Sequence, residues 1–425
     1  VSQPPHPFSI PAYRAFVLAR LAMVLAQEAM VVAIGWQVYD LSRQTMGLKE
    51  SAFRLGLIGV VQFLPLLLLT LVVGWVVDHI DRRKIARVVT ALQIGCAAVL
   101  GVLNHMGGIG LPALFSVAAL LGVARAFAGP AFSALGPNLV PPEILPRAIA
   151  FNATAWQVGV IVGPALSGYL YAAGHSLPYL AAAALFTLAM LLLFTIGKVR
   201  RPLAHRTGPP WRQMVEGLHY VRHNRLVLGA ISLDLFAVLL GGATAMLPIY
   251  ARDILHTGPE GLGHLRAAPA VGASITALWL SVRPLRHNVG PIMLGGVALF
   301  GISTIIFGLS RSEPLSLCCL AALGVGDMVS VFVRQSLVQI YTPDAMRGRV
   351  GAVSTLFISG SNELGEAESG LIASLIGPVA AVIVGGFGAL AVTILWARWF
   401  PELRRARTFD PPPGLAEQQQ AEIAT

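Results

Sequence analysis

Apolar runs long enough to cross a lipid bilayer recur from one end of this chain to the other, and that recurrence leaves few folds open. A helix rises ~1.5 Å per residue, so about 20 apolar residues span a hydrocarbon core of ~30 Å. Inside lipid every backbone N–H and C=O must be paired within the protein, which makes such runs helices. Between turn signals the runs resolve into twelve predicted spans: 14–39, 54–77, 85–105, 111–137, 151–173, 177–197, 227–250, 264–282, 289–309, 314–341, 350–376 and 378–399. Charged residues make up 12% of the 425, against about 25% in soluble domains. No long polar stretch is left over for a separate catalytic domain. The first run is not followed by a small-residue cleavage site, so it reads as a span rather than a leader. Cys96, Cys318 and Cys319 all fall inside apolar runs and read as small hydrophobes, with no metal spacing and no disulfide framework. No metal or other cofactor is expected.

The longest polar gap, Lys198–Arg225, divides the spans six and six. The expected organisation is an N-terminal bundle (1–197), a linker (198–225), a C-terminal bundle (226–400) and a polar tail (401–425). Within the linker, Trp211–Asn224 predicts an amphipathic helix lying at the membrane interface. The net charge of +10 orients the protein rather than binding nucleic acid. Of 30 Lys and Arg, six fall in one set of loops (Arg43, Lys49, Arg54, Arg252, Arg266, Arg311) and three within spans (Arg20, Arg125, Arg334). The remainder lie on the other side with both termini, which the positive-inside rule makes cytoplasmic.

Sliding the chain against itself by 202 positions superposes spans 4–5 on spans 10–11 without a gap. Leu121-Gly-Val meets Leu323-Gly-Val, Pro141 meets Pro343, Arg147 meets Arg349, and Gly163 and Gly168 meet Gly365 and Gly370. An even number of spans per half makes this a parallel repeat, with a pathway expected between the halves. The same alignment opposes Arg125 to Asp327 and Pro164 to Glu366. The frame is therefore repeated where the chemistry is not.

Between spans 2 and 3 the chain reads Gly74-Trp-Val-Val-Asp78-His79-Ile-Asp81-Arg82-Arg83, span 4 reads Gly122-Val-Ala-Arg125-Ala-Phe-Ala-Gly129, and span 5 carries Gly159, Gly163, Pro164 and Gly168. In this order and spacing the three motifs resemble those of the major facilitator superfamily. The first resembles its G-x-x-x-D-R-x-G-R-R loop, with His79 in place of the first Arg and Asp81 in place of the second Gly. This D-x-x-D-R-R form resembles the enterobactin-exporter-like and multidrug efflux branch. The third is close to the G-x-x-x-G-P-x-x-x-G element associated with antiporters. The resemblance covers about residues 12–400. It implies an all-α polytopic fold of twelve transmembrane helices in two pseudo-symmetric six-helix bundles. The glycines of span 5 admit a neighbouring helix, and Pro164 permits a bend, so the segment serves tight packing or a hinge. Gly74, Asp78, Arg82 and Arg83 form a cytoplasmic gate motif, in which Asp78 accepts from the exposed N–H groups at the start of span 11, pairs with Arg347 or Arg349, or is simply an orienting charge.

Ionisable groups in spans cost at least ~2.5–3.5 kcal/mol each, so each invites a functional role. Counting along the helices puts Arg125 and Asp327 near the midplane, Glu28 slightly past it and Asp234 closer to the cytoplasmic end. Asp327, Ser330 and Arg334 share a face of span 10, while Asn362, Glu363, Glu366 and Ser369 share one on span 11. Glu28, Arg125, Asp234, Asp327, Arg334, Glu363 and Glu366 are thus the candidate coupling and substrate residues. Static pairing of Asp234 and Asp327 with Arg20 and Arg334 is the alternative. No G-x-x-x-x-G-K-[ST] is present to hydrolyse nucleotide, nor an H-E-x-x-H or G-x-S-x-G, so no enzyme activity is expected. The expected function is proton-coupled export of a small organic molecule, such as a drug, siderophore or metabolite, by alternating access. Export itself rests on the resemblance. An uncoupled facilitator, a lipid-like flippase and a transporter-like sensor or scaffold are the alternatives. The expected partners are the substrate, protons and the lipid bilayer, with no nucleic acid, and a monomer in the cytoplasmic (inner) membrane.

Overall fold

The computed structural model describes residues 6–197 and 210–409, apart from the surroundings of a few residues, among them Gly74, Asp78 and Asp344. The described residues form helices and connecting turns. In chain order these are α1 (Pro11–Thr45), α2 (Leu48–His79), α3 (Arg82–His105), α4 (Leu111–Leu135), α5 (Leu145–Ala173), α6 (Leu177–Thr195), α7 (Pro210–His223) and α8 (Arg225–Leu240). Then follow α9 (Leu247–Ile249), α10 (Gly258–Val282), α11 (Val289–Leu309), α12 (Glu313–Ile340), α13 (Asp344–Ile376), α14 (Pro378–Trp399) and α15 (Pro401–Arg405).

Local chemistry sets the ends. Proline opens α1, α4, α5, α6, α12 and α14 in the first turn, where its missing N–H costs nothing. Asp81 caps α3 by accepting from the Arg83 N–H at 3.0 Å, and Asn224 caps α8 by accepting from the Val227 N–H at 3.1 Å. Gly377 closes α13 at φ 94°, a conformation that favours glycine.

Eleven helical segments among the described residues are long and apolar enough to cross a membrane. The twelfth expected span is α13, whose 33 residues include Glu363, Glu366 and Glu368. Large apolar side chains such as Leu64, Leu68, Leu278 and Trp279 are left exposed along the helices, as a lipid-facing surface requires.

The chain divides into two compact units, one of 6–197 with Leu247–Ala270 and the other of 210–246 with 271–409. In the first, α1 is buried along its length and packs against α5, α6 and α2, while α3 packs on α4 and α6. In the second, α8 packs on α13 and α14, and α11 packs on α12 and α14. The pairings of spans 1–5, 1–6, 3–4 and 3–6 in one bundle thus recur in the other, as the 202-residue repeat requires.

The seventh span departs from the continuous helix expected over 227–250. Helix α8 stops at Leu240, a 3₁₀ turn runs Ala243–Met246, α9 is three residues long, and a π-helical turn covers Tyr250–Ile254. The break falls at Gly241–Gly242, where a methyl group on Gly242 would stand 2.6 Å from the Gly365 carbonyl of α13. Pro248 then withholds a further N–H. Irregular backbone at membrane depth is tolerated where protein surrounds it, and Leu247, Ile249 and Tyr250 are all fully buried.

In the linker, α7 presents Trp211, Val215 and Leu218 to the exterior on one stripe, while Val221 is buried against α13. Gly217 lets the two helices close, since a methyl group there would lie 2.6 Å from the Arg349 carbonyl. After α14, the chain does not leave the bundle at once. Leu403 of α15 is buried, and the Gly290 N–H of α11 donates to the Ala406 carbonyl at 3.0 Å.

Candidate functional site

Within the first unit, the span-5 glycines do place a helix against α1. A methyl group on Gly159 would stand 2.5 Å from Val24 Cγ1, and one on Gly163 would stand 2.8 Å from Glu28 Cβ. Ser167, one turn on, donates to the Ala29 carbonyl at 2.7 Å. Glu28 is therefore held at the joint where Pro164 interrupts the α5 hydrogen-bond ladder. Pro164 meets a third element, because its carbonyl lies against Gly263 at the start of α10. Gly168 is similarly close to the Pro259 carbonyl.

Two arginines bear electrostatically on Glu28: Arg266 of α10 and Arg125 of α4. Arg125 Nη1 donates to Oε1 of the buried Gln62 at 3.3 Å, across to α2. Gln157 of α5 donates to the Ala270 carbonyl at 3.0 Å. Arg20 of α1 sits against Phe132 of α4. Its guanidinium lies over the Phe132 ring, 5.5 Å from the centroid, and its Nε finds no acceptor among the described residues.

Of the loop motif after α2, Gly74 and Asp78 lie outside the described side chains. Arg83 forks onto Asp81 at 2.7 Å and also donates to the Ile196 carbonyl at 3.3 Å. Arg87 donates to the Leu193 carbonyl at 3.0 Å. These two cations satisfy the carbonyls at the C-terminus of α6, a helix end that attracts positive charge. Arg82 is half-buried and engaged.

A second cluster, unread in the sequence, joins the C-terminal part of α1 to the π-helical turn. Tyr39 donates to the Asp253 carboxylate, and Arg43 Nε donates to the same oxygen at 3.2 Å. Arg252 pairs with Asp40 at 3.0 Å. The pairing is crossed, acid–base on α1 against base–acid on the turn. Adjacent residues of an α-helix point ~100° apart, and the extra residue in a π turn re-aims side chains, bringing both Arg252 and Asp253 to α1.

In the second unit the structure brings together three of the predicted residues. Arg334 of α12 pairs with Asp234 of α8 at 3.2 Å, and both side chains are buried, at 2% and 7% exposure. The pair is imperfect, because Nε and Nη1 of Arg334 make no well-directed hydrogen bond among the described residues. Beside it lies a small cavity, with room for about one water, lined by Asp234, Val297, Phe300, Gly326, Asp327 and Ser330. The Ser330 hydroxyl is buried and finds no partner among the described residues.

The other carboxylates sit apart on α13. Glu363 is buried and Glu366 half-buried, and both are engaged. Glu368, absent from the candidate residues, keeps a buried Oε2 with no partner among the described residues. At the N-terminus of α13, Arg349 pairs with Glu216 of α7 at 2.8 Å, and Arg347 Nε donates to the Gln339 carbonyl at 3.1 Å, capping α12. Arg349, which the loop motif offers to Asp78, therefore has a rival partner in α7 that no motif announces.

A family model described as "Transmembrane secretion effector", MFS_3, matches residues 2–417. The enterobactin exporter EntS of Citrobacter koseri (strain ATCC BAA-895 / CDC 4225-83 / SGSC4696) is 28% identical over 422 residues, covering 95% of this chain and 94% of that protein. The EntS of Escherichia coli O1:K1 / APEC is 28% identical over 420 residues, with 94% of each chain covered. Among solved structures, the D-xylose–proton symporter superposes with a TM-score of 0.72 at 12% identity, covering 92% of this chain and 98% of that one. The POT family transporter PepTSo gives 0.73 at 11% identity, covering 96% and 100%. These structures share the fold. The chain belongs to the transmembrane secretion effector (MFS_3) family of the major facilitator superfamily, and is a multi-pass membrane transporter rather than an enzyme.

Proposed function

We propose that this protein is a secondary active transporter that exports a small organic molecule in exchange for protons, by alternating access. The observation that carries the reading is the placement of Glu28. A carboxylate in a membrane span is costly, and here it is packed against the Gly163–Pro164 joint under the charges of Arg125 and Arg266. An anionic side chain tied to a place where two helices touch through bare backbone can transmit a change of charge into a change of helix packing. Asp234, Asp327, Arg334, Glu363 and Glu366 add further ionisable groups in the second unit. The reading assigns substrate contact to Arg125 and proton coupling to Glu28 together with the second unit's carboxylates.

The orientation proposed has both termini in the cytoplasm and the protein in the inner membrane, from the uneven loop charge. Relatives named enterobactin exporters make enterobactin the first substrate to test. The experiment is reconstitution of the purified chain in liposomes with an imposed pH gradient. Gradient-driven enterobactin movement that is lost in Glu28→Gln supports the reading. Movement indifferent to the gradient in both proteins points instead to an uncoupled facilitator.

A further inference from the structure

We infer that Asp327 is the group that takes up and releases the exchanged proton, in a site formed with Ser330 and the cavity beside the Asp234–Arg334 pair. This rests on the proton-exchange reading above and deepens it by choosing one carboxylate among several. Three side chains carry charge here, two carboxylates and one guanidinium. Arg334 is committed to Asp234 at 3.2 Å, so that pair is neutral together and Asp327 holds the surplus negative charge. No hydrogen bond or ion pair joins Asp327 to another described side chain, and it lines the cavity.

The second observation is independent of the charges. Ser330 is 2% exposed, lines the same cavity, and its hydroxyl has no partner among the described residues. A buried hydroxyl left unpaired is costly, and a water-sized space beside it in a largely apolar wall is where a single bridging water is held. The hydroxyl stands one turn from Asp327 on α12, so a water between them has one donor–acceptor and one carboxylate to bind. That water delivers the proton: the Asp327 carboxylate accepts H⁺ to become a neutral acid, and the three-residue group passes from one net negative charge to none.

Within the second unit, the groups facing Asp327 among the described residues are few. From α8 comes Asp234, and from its own helix Arg334. Helix α11, which packs on α12, contributes Val297 and Phe300 and contains no titratable residue. Residues 271–282 of α10, where Gly272 meets the Ala321 carbonyl, contain none either. The charge state of the site is thus set by Asp327 against a fixed neutral pair.

Infrared absorption of the purified full-length chain tests this without a substrate. A protonated carboxylic acid has a carbonyl stretch distinct from a carboxylate, so a pH titration reads protonation directly. A pH-dependent band present in the wild type and in Glu368→Gln, and lost in Asp327→Asn, is the expected result. Asp327→Glu keeps a carboxyl and is the check should the asparagine variant fail to fold: its band must move in position or midpoint. A wild-type band that persists in Asp327→Asn, or that does not move in Asp327→Glu, overturns the assignment. So does a band removed by NaCl relative to choline chloride at constant pH, which would make this a sodium site. A protein that titrates at Asp327 while transport ignores the pH gradient would sink the antiport reading and leave the site standing.

Discussion

Gly163 of α5 and Glu28 of α1 are in contact through backbone and Cβ, at a separation that leaves no room for a side chain on the glycine: a methyl there would lie 2.8 Å from Glu28 Cβ and 3.0 Å from the Leu25 carbonyl. Helix association within lipid relies on such close approach, since lipid tails compete for apolar contact as well as another helix does. The glycine and the carboxylate therefore belong to one device, and a change at either is felt at the other.

Gly163→Ala should be destabilising by about 1–3 kcal/mol, the usual cost of overpacking. Thermal unfolding in detergent measures it. Gly129→Ala is the control, since a methyl there meets nothing within 4 Å. Equal melting temperatures for the two variants would show that the α1–α5 contact yields without cost.

Breaking the Asp234–Arg334 pair from one side unbalances a buried group in which Asp327 is the third charge; in buried pairs elsewhere such a loss is about 3–5 kcal/mol. Arg334→Met, which leaves two buried carboxylates together, should lower the melting temperature sharply, and Asp234→Asn, which leaves Asp327 near Arg334, should lower it less. The double variant should recover much of the loss, because the remaining cost is shape rather than charge. Additive losses in the double would mean the two residues do not interact as the 3.2 Å geometry says.

The crossed cluster at the C-terminal part of α1 is more exposed, with Arg43 and Asp253 side chains at 28% and 25%. Exposed pairs contribute about 0.2–1 kcal/mol. Stability should thus barely change in Arg43→Asp, whereas the charge reversal places two acids together. Crosslinking between cysteines placed beside Arg43 and Asp253 should fall in Arg43→Asp and return in Arg43→Asp/Asp253→Arg. A crosslinking yield unchanged by the single reversal would remove this cluster as a clasp.

Helix α7 is held to α13 by both shape and charge. Glu216 bridges Arg349 at 2.8 Å and Arg212 at 3.3 Å, while Gly217 lies on the Arg349 carbonyl. Gly217→Val should free α7 far more than Glu216→Gln, since the first forbids the contact and the second removes two partly exposed pairs worth about 1 kcal/mol or less each, of which only that to Arg349 reaches α13. Amide hydrogen exchange over 210–223 reads both. Faster exchange in Glu216→Gln than in Gly217→Val would reverse the ranking.

Much of this arrangement is legible in the sequence. The spans follow from apolar length, and the close approach of a neighbouring helix to α5 from the glycine spacing at 159, 163 and 168. The amphipathic α7 follows from periodicity. The interruption at Gly241–Gly242 is not legible, because two glycines in an apolar run do not break a helix until a neighbour such as Gly365 fills the space they leave. Nor is the unpaired hydroxyl of Ser330, since a serine in a span ordinarily bonds its own helix backbone.

What the sequence by itself determined is the membrane-spanning, duplicated frame, because backbone pairing in lipid and the thickness of a bilayer act alike on any chain with these apolar lengths. Which ionisable groups cancel and which stay available was decided only by tertiary structure. Arg334 lies two turns from Asp327 on one helix face, yet it reaches Asp234 on another helix. Charge pairing falls off over a few ångströms, so the partner is whichever carboxylate the packing of α8 against α12 brings within that distance.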